Sequence, residues 1–333
     1  MQIAALIFNR PQLNLAGVAL VVAVCLIITG TNVVRFVVLF PGVAEANAQA
    51  SILPNHIEAD YRVPPPPQFL NGVTANNVYL LAEPPVRLLL LRRNPDEVRP
   101  LASLTKLMSA LVILDYKPRW NDTIKLIEAD RRGGAKARLF VGETVSLRDL
   151  WTVALVGSDN DALAALVRGL GVPESTFVRA MNEKAVAFGL RQTHFVEPTG
   201  LLPANVSTAR EIAIIARAAF TYAEIAQTLA QQRATVAVDG ASRIILSSDQ
   251  YLKGNLDVKT QGWRFVTGKT GYLPESGYNA VVVVEGEDSV QILSVVLGSA
   301  SLEDRTRDVD VLSIWASNVV AERLKTAILQ SDR

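Results

Sequence analysis

The stretch SLTKLMSALVIL, residues 103–114, joins an S-x-x-K motif to an apolar run with helical periodicity. Two further motifs follow it, Ser158-Asp159-Asn160 and Lys269-Thr270-Gly271, and each of the three is the only match to its pattern (S-x-x-K, S-x-N, K-T-G) in the 333 residues. Together they predict one active site, which contains an acylating serine with its own lysine, a proton relay and an anchor for a substrate carboxylate.

Ser103 and Lys106 are three residues apart on the predicted helix, so their side chains share one face. A serine hydroxyl is a weak nucleophile, and a lysine amine can serve as its base once burial or a neighbouring cation lowers the amine pKa. The helix N-terminus would add backbone N–H groups for a developing oxyanion. An isolated S-x-x-K more often describes a surface serine beside a solvated lysine, since about one chance match is expected in a chain of this length.

The other two motifs supply the remaining parts of such a site. In isolation Ser158-Asp159-Asn160 is typical of a helix N-cap, but in a turn between two helices Ser158 could pass a proton to a leaving amine and Asn160 could bind a substrate amide. Lys269 and Thr270 offer a charge and a hydroxyl to a carboxylate, and Gly271 at a strand end lets a substrate backbone approach closely. The ordinary alternative for this last motif is a strand end with an exposed lysine.

Strand-like runs stand near both ends of the folded part, and helical runs lie between them. Val78–Ala82 and Val86–Leu91 predict one hairpin, and residues 279–285 with 290–297 predict another. Beyond the helix that starts at Ser103, helices are predicted at residues 147–156, 159–168, 175–188, 208–220 and 303–327. This order predicts an α/β domain in which N- and C-terminal segments share one sheet, with the middle helices packed on it or forming a lobe beside it.

The N-terminal segment is apolar enough to cross a membrane. Leu13 to Phe40 exceeds the roughly 20 residues that a span requires, and its run has no polar face. Residues 1–45 are therefore predicted to be a cytoplasmic stub with a single-pass anchor in the cell membrane, which leaves the catalytic domain extracytoplasmic. The alternative is a signal peptide that is cleaved near Ala48 and releases a secreted protein.

The folded domain is predicted at residues 71–333, after a stiff proline-rich linker at residues 46–70. A net charge of +1 gives no sign of a nucleic-acid partner. The single cysteine, Cys25, lies in the apolar N-terminal run, so the folded domain has no thiol. Because the chain has only two histidines, His56 and His194, a zinc site or a serine–histidine triad has little material to work with. The chemistry of the three motifs needs no metal and no organic cofactor.

From about Asn77 to the C-terminus the chain resembles the serine-type D-alanyl-D-alanine carboxypeptidases, which are the low-molecular-mass penicillin-binding proteins of peptidase family S11. The three motifs are typical of penicillin-binding proteins and class A β-lactamases. Further segments also resemble the family, namely Pro100-Leu101-Ala102, Val141-Gly142-Glu143-Thr144, Pro198-Thr199-Gly200-Leu201, Ser207-Thr208-Ala209 and Gly277-Tyr278-Asn279. The resemblance implies a β-lactamase/penicillin-binding (DD-peptidase) fold with an antiparallel sheet and a helical lobe.

The resemblance also implies an activity, which is the hydrolysis of peptidoglycan stem peptides that end in D-Ala-D-Ala, with β-lactams as covalent inhibitors. Ser103 would attack the carbonyl of the penultimate D-alanine, with Lys106 as general base. Ser158 would relay the proton to the leaving D-alanine, whose carboxylate Lys269 and Thr270 would hold. The backbone N–H groups of Ser103 and Tyr272 would form the oxyanion hole, and Asn160 and Gly271 would complete the substrate-binding residues.

Three residues depart from the family's pattern. Glu197 stands where the family often has asparagine, and its position also resembles that of the deacylating glutamate of class A β-lactamases. We interpret it as a carboxylate that structures its loop, because the asparagine expected three residues later is absent. Leu273 replaces a threonine, which would alter affinity for the substrate terminus, and Asp249 replaces an asparagine.

Other functions stay open at this stage. A D,D-endopeptidase acting on crosslinks would share every motif, and a class A-like β-lactamase would need a fast deacylating residue. A catalytically idle module that binds peptidoglycan or penicillin would tolerate the loss of Ser103 or Lys106, whereas both residues are intact here.

Overall fold

The computed structural model describes residues 68–83, 88–134, 137–249, 264–286 and 290–331. The strands in this part are β1 (Asn77–Ala82), β2 (Leu88–Arg93), β3 (Arg99–Pro100), β4 (Thr123–Lys125), β5 (Thr144–Ser146), β6 (Val206–Ser207), β7 (Arg233–Val238), β8 (Ala241–Leu246), β9 (Arg264–Leu273), β10 (Gly277–Glu285) and β11 (Gln291–Ser299). The α-helices are α1 (Thr105–Asp115), α2 (Leu147–Val156), α3 (Asn160–Gly169), α4 (Glu174–Ala187), α5 (Ala209–Phe220), α6 (Ala223–Ala230) and α7 (Leu302–Ser331).

The main sheet is antiparallel and combines both ends of the folded part, as predicted. Its strand order is β2-β1-β11-β10-β9. β1 pairs with β11 from Asn77 opposite Leu297 to Ala82 opposite Ile292. The two predicted hairpins, β1–β2 and β10–β11, are both present as antiparallel pairs.

The strands of this sheet are buried on both faces, and alternate residues along them join two different apolar clusters. Leu80, Val282 and Ile292 join a cluster that contains Leu312 and Trp315 of α7. Their neighbours along the strands, which point to the opposite face, join a larger cluster with α1 and the middle helices. The sheet therefore lies between the C-terminal helix and a helical lobe.

A second sheet, which none of the predicted strands belongs to, borders the helical lobe. Its order is β4-β5-β7-β8, and two of its strands have only three residues each. A third, two-stranded pairing joins β3 to β6. Strands this short carry too little alternation to be recognised from a sequence.

The structure moves three of the predicted boundaries. Ser103 lies in a 3₁₀ turn, Ala102–Leu104, and α1 begins only at Thr105. Gly271 lies inside β9 rather than at its end, since the strand continues to Leu273. Leu70, predicted as the last residue of the linker, is buried in the core beside the sheet.

The predicted membrane anchor, its cleavage alternative and residues 46–67 of the linker lie outside the described residues. Among the helices that the structure describes, none combines the length and hydropathy needed to cross a bilayer.

Candidate active site

Ser103 is held in a tight turn at the N-terminal end of α1. Ala102, just before it, has a φ of +50°, a left-handed conformation that costs an alanine energy. Two glycines allow neighbouring backbone to support this turn. A Cβ on Gly200 would collide with the Ala102 carbonyl, and a Cβ on Gly271 would lie 2.8 Å from the Ser103 nitrogen. The nucleophile turn is therefore clamped between β9 and the loop around Gly200.

Lys106 lies fully buried one turn along, beside the serine hydroxyl. Its Nζ is 3.1 Å from Ser103 Oγ, 2.6 Å from Asn160 Oδ1 and 2.7 Å from the Thr199 carbonyl oxygen. Burial, with the nearby charge of Lys269, lowers the pKa of Lys106 to about 7. A substantial fraction of this amine is therefore neutral near neutral pH, as a general base requires.

Ser158 lies in the turn between α2 and α3, again in a left-handed conformation, with φ +55°. The following residue, Asp159, caps α3 by accepting a hydrogen bond from Ala162 N at 2.8 Å. Asn160 donates through Nδ2 to the Gly133 carbonyl at 2.9 Å, while its Oδ1 holds Lys106. The turn therefore presents the Ser158 hydroxyl and uses Asn160 to orient the lysine.

Lys269 approaches the same hydroxyl from the sheet. Its Nζ donates to Ser158 Oγ at 2.8 Å and to the Thr270 carbonyl at 2.9 Å. Burial lowers the pKa of Lys269 to about 8, and the charge of Asp249 opposes that effect. Thr270 is also buried, whereas Tyr272 is 51% exposed and stacks on Tyr278 with ring centroids 4.3 Å apart.

Glu197 organises the loop that carries Thr199. Its carboxylate accepts hydrogen bonds from the backbone nitrogens of Thr199 and Gly200, each at 2.6 Å, and of Leu201 at 2.9 Å. The Thr199 hydroxyl and the side-chain amide of Asn205 also donate to it. With both oxygens engaged and only 6% of the residue exposed, Glu197 structures its loop, as the sequence analysis interpreted it.

A cavity of about 200 Å³ opens onto Ser103, Ser158 and Asn160. The structure thus brings the three motifs together, and it adds residues that sequence reasoning missed. The main ones are the Thr199 carbonyl, which accepts a hydrogen bond from Lys106, and Arg138 and Ser248, which line the cavity. Every residue has a backbone carbonyl, so the sequence cannot indicate which one contacts Lys106. From the sequence alone, an arginine in a polar loop also cannot be distinguished from an arginine on the solvent-exposed surface.

Asn160 has a different main contact from the predicted one. The sequence predicts that Asn160 binds a substrate amide, whereas in the structure its side chain contacts Lys106 Nζ and the carbonyl oxygen of Gly133. Its Nδ2 carries a second hydrogen, so a substrate contact is compatible with both. Within the described residues, no three His, Cys, Asp or Glu side chains lie close enough together to bind a metal ion.

Comparisons with known proteins agree with this geometry. A family model described as D-alanyl-D-alanine carboxypeptidase (peptidase S11) matches residues 72–301. A D-alanyl-D-alanine endopeptidase of Pseudomonas aeruginosa is 34% identical over 223 residues, which cover 66% of this chain and 71% of that protein. A second one, from Escherichia coli, is 33% identical over 57% of this chain and 60% of its own length.

A solved structure gives the same result for the fold. The D-alanyl-D-alanine carboxypeptidase from Mycobacterium tuberculosis H37Rv superposes with a TM-score of 0.66 at 25% identity, covering 79% of this chain and 96% of that one. The architecture is thus that of the penicillin-binding DD-peptidases.

Proposed function

Because this chain belongs to the D-alanyl-D-alanine carboxypeptidase family, peptidase S11, we infer that it is a serine-type D,D-carboxypeptidase that removes the terminal D-alanine from peptidoglycan stem peptides. The observation that carries the inference is the contact of the fully buried Lys106 amine with Ser103 Oγ, at 3.1 Å. An amine with a pKa of about 7 at hydrogen-bond distance from a hydroxyl makes that hydroxyl a nucleophile.

Acylation begins with a proton transfer from Ser103 to Lys106. Neutral Lys106 takes the proton of Ser103 Oγ, which attacks the carbonyl carbon of the penultimate D-alanine. The backbone N–H groups of Ser103 and Tyr272 would stabilise the resulting oxyanion. The clamp of β9 on the nucleophile turn, with Gly271 against the Ser103 nitrogen, supports this assignment.

The leaving group departs on the side of Ser158 and Lys269. Ser158 Oγ gives its proton to the departing amine and recovers one from the Lys106 ammonium. Lys269, with the hydroxyl of Thr270, would hold the terminal carboxylate of the substrate. The 2.8 Å contact from Lys269 Nζ to Ser158 Oγ supports a single site for both tasks, because it places the carboxylate anchor beside the proton relay.

Hydrolysis of the acyl-enzyme completes the cycle. With D-alanine gone, a water molecule attacks the ester on Ser103 and Lys106 takes the water proton; as the ester bond breaks, Lys106 returns that proton to Ser103 Oγ and the peptide leaves as a carboxylate. A β-lactam would acylate the same serine, but its leaving amine stays tethered and the ester turns over slowly. Glu197 is bound to its own loop on both oxygens, so no observation favours a β-lactamase-type deacylation.

A second activity, D,D-endopeptidase action on crosslinks, is favoured by one observation. The Pseudomonas aeruginosa and Escherichia coli relatives, at 34% and 33% identity, are both named D-alanyl-D-alanine endopeptidase. Such an enzyme breaks the same bond, but its leaving amine belongs to a second stem peptide.

We also propose that residues 13–40 anchor the chain in the cell membrane with the catalytic domain on the outer side. The length and apolarity of that run support this proposal. Fractionation of cells that express the full chain would test it, since a membrane-bound product after an alkaline wash is expected and a soluble, shortened product would contradict it.

The activity is tested with the purified full-length chain, a fluorescent penicillin and a D-Ala-D-Ala-terminated peptide. We expect a lasting adduct on Ser103 that Ser103→Ala abolishes, together with release of D-alanine. Rapid penicillin turnover without an adduct would favour a β-lactamase, and neither labelling nor release would favour an idle binding module.

A further inference from the structure

Arg138 is a charged side chain in the cavity wall that neither acylation nor carboxylate binding uses. Of the described residues that line this cavity, it alone carries a formal charge; the others are glycines and neutral side chains. Its residue is half-buried, and burial lowers the pKa of its guanidinium while the charge of Asp159 opposes the shift. An arginine stays protonated throughout the physiological range in spite of such a shift.

The position of Arg138 is fixed by the turn that carries the proton relay. Its backbone nitrogen donates to Asp159 Oδ2 at 3.0 Å. Its stem lies against Gly157, where an added Cβ would be 2.8 Å from Arg138 Cδ and 2.9 Å from Nε. Its Nη2 is 3.5 Å from the carbonyl oxygen of Leu246, at the end of β8. The guanidinium therefore lies directly beside the residue that precedes Ser158.

The charge of Arg138 acts on Lys269. Its charge, with that of Arg305, contributes to the lowered pKa of Lys269. The charges that act on Lys106 are instead those of Lys269, Glu197 and Asp159. Because its stem contacts Gly157, the residue before Ser158, Arg138 lies at the Ser158 end of the cavity, where the leaving group would depart.

Asp159 binds backbone nitrogens of its own turn and of the Arg138 loop. Its carboxylate is only 1% exposed and accepts the backbone nitrogens of Ala162 and Arg138. It therefore faces the start of α3 and the loop backbone, while Arg138 is one of the residues that line the cavity. An anion that enters the cavity would meet Arg138 in its wall.

We propose that Arg138 binds a second carboxylate on the leaving group, so that the enzyme prefers leaving groups with two carboxylates over those with one. This inference rests on the proposed function, which assigns the first carboxylate to Lys269 and Thr270. A leaving group of this class is an acidic amino acid, a diamino diacid or a peptide that carries a further carboxylate. A D-alanine leaving group has one carboxylate, which Lys269 would bind. A leaving stem peptide in a crosslink can carry two, one for Lys269 and one for Arg138.

The test uses three peptides with one acyl group that ends in D-alanine, and with D-alanine, D-glutamate or D-glutamine as the leaving residue. D-Glutamate and D-glutamine have the same shape, so the ratio of their kcat/KM values isolates the second carboxylate. We expect a ratio of about tenfold in favour of D-glutamate, as for one charge-assisted hydrogen bond. A wild-type ratio near one would overturn the proposal without any variant.

Variants then assign the preference to one side chain. In Arg138→Gln the ratio should fall to about one, while cleavage of the D-alanine peptide should fall by less. Arg138→Met keeps an apolar stem on Gly157 and serves as the second neutral variant, and Arg138→Lys should retain part of the preference. The matched control is Arg119→Gln, which removes a charge from a side chain that is 87% exposed and should leave the ratio intact.

The outcomes separate this proposal from the one on which it rests. Stoichiometric penicillin labelling of Ser103 shows that each variant is folded. If the wild type releases D-alanine but the ratio is the same in the neutral Arg138 variants, Arg138 has no role in choosing the leaving group. If the wild type neither binds penicillin nor releases D-alanine, the proposed function itself has failed.

Discussion

Lys106 and Lys269 are both buried lysines whose amines contact a serine that lines the cavity, but the two amines have opposite roles in the proposed mechanism. Both are buried, with 0% and 2% of their surface exposed, and burial lowers the pKa of each. Lys106, on α1, has a pKa of about 7 and points its amine at the nucleophile. Lys269, on β9, has a pKa of about 8 and points at Ser158.

The comparison shows that neighbouring charges, as well as burial, determine the pKa of each lysine and therefore its role. The positive charge of Lys269 lowers the pKa of Lys106 and so favours a neutral base. The negative charge of Asp249 raises the pKa of Lys269 and so favours a charged anchor. Because the pKa of Lys106 is the lower of the two, Lys106 loses its proton at a lower pH than Lys269, which is the order that a neutral base beside a charged anchor requires.

The largest effect is expected from removing the base. Lys106→Met should lower the rate constant for acylation of Ser103 by about 10³-fold, because no other group accepts the hydroxyl proton. The measurement is the rate of adduct formation with a fluorescent penicillin, and circular dichroism checks the fold. A loss below tenfold would mean that another group serves as base.

Lys269→Met should reduce kcat/KM on the peptide by about 10²-fold, since a charge-assisted contact to the carboxylate is lost. Most of this loss should be in KM, which steady-state kinetics would show. The substitution also removes a positive charge near Lys106, so the pKa of Lys106 should rise and the acid limb of the pH profile should move to higher pH. An unmoved limb would show that the two amines do not interact.

The pH profile of acylation by penicillin should be bell-shaped. Lys106 must be neutral to accept a proton, so the rate should fall about tenfold per pH unit below about 7. Lys269 must be charged to hold the carboxylate, so the rate should also fall above about 8. Rates measured from pH 5 to 10 would test both limbs, and a flat profile between pH 5 and 7 would rule out Lys106 as the titrating base.

The smallest effect is expected at Glu197, which contacts the backbone of the loop that holds Lys106. Glu197→Gln should cost about 2 kcal/mol of stability in urea unfolding, because three backbone donors lose a carboxylate acceptor. Its lost charge should lower the pKa of Lys106 and move the acid limb to lower pH, opposite in sign to Lys269→Met.

Glu211→Gln is the matched control for that substitution. Glu211 is also buried, at 8% exposure, and accepts the backbone nitrogens of Arg191 and Gln192. It should show a similar loss of stability with no shift of the acid limb. Equal shifts in both variants would indicate a general structural effect rather than the charge of Glu197.

The sequence predicted those parts of the molecule whose signals are local. The helix at 147–156 was placed at its observed bounds, and both hairpins of the main sheet were identified, because long apolar periods dominate there. The 3₁₀ turn at Ser103 was not, since Ala102 takes its left-handed conformation only under the tertiary contacts of Gly200 and Gly271.

The candidate site divides in the same way. The motif residues are predictable because their spacing is local, and the structure pairs Lys106 with Ser103 and Lys269 with Ser158. The two perturbed pKa values depend on burial and on charges from distant segments. Arg138 was overlooked for the same reason, since its place beside the relay turn arises only from the packing of its loop.

The pairing of β1 with β11 has a consequence for the order in which the protein becomes complete. Asn77 meets Leu297 in that register, so this pair of the main sheet cannot form until synthesis has reached Leu297, 220 residues after Asn77. Until then β1 and β2 present an apolar hairpin with an open edge, which is the kind of surface that invites aggregation. The assembly of this domain is therefore intrinsically slow, and its last strands to emerge are also those that bring Lys269 to Ser158.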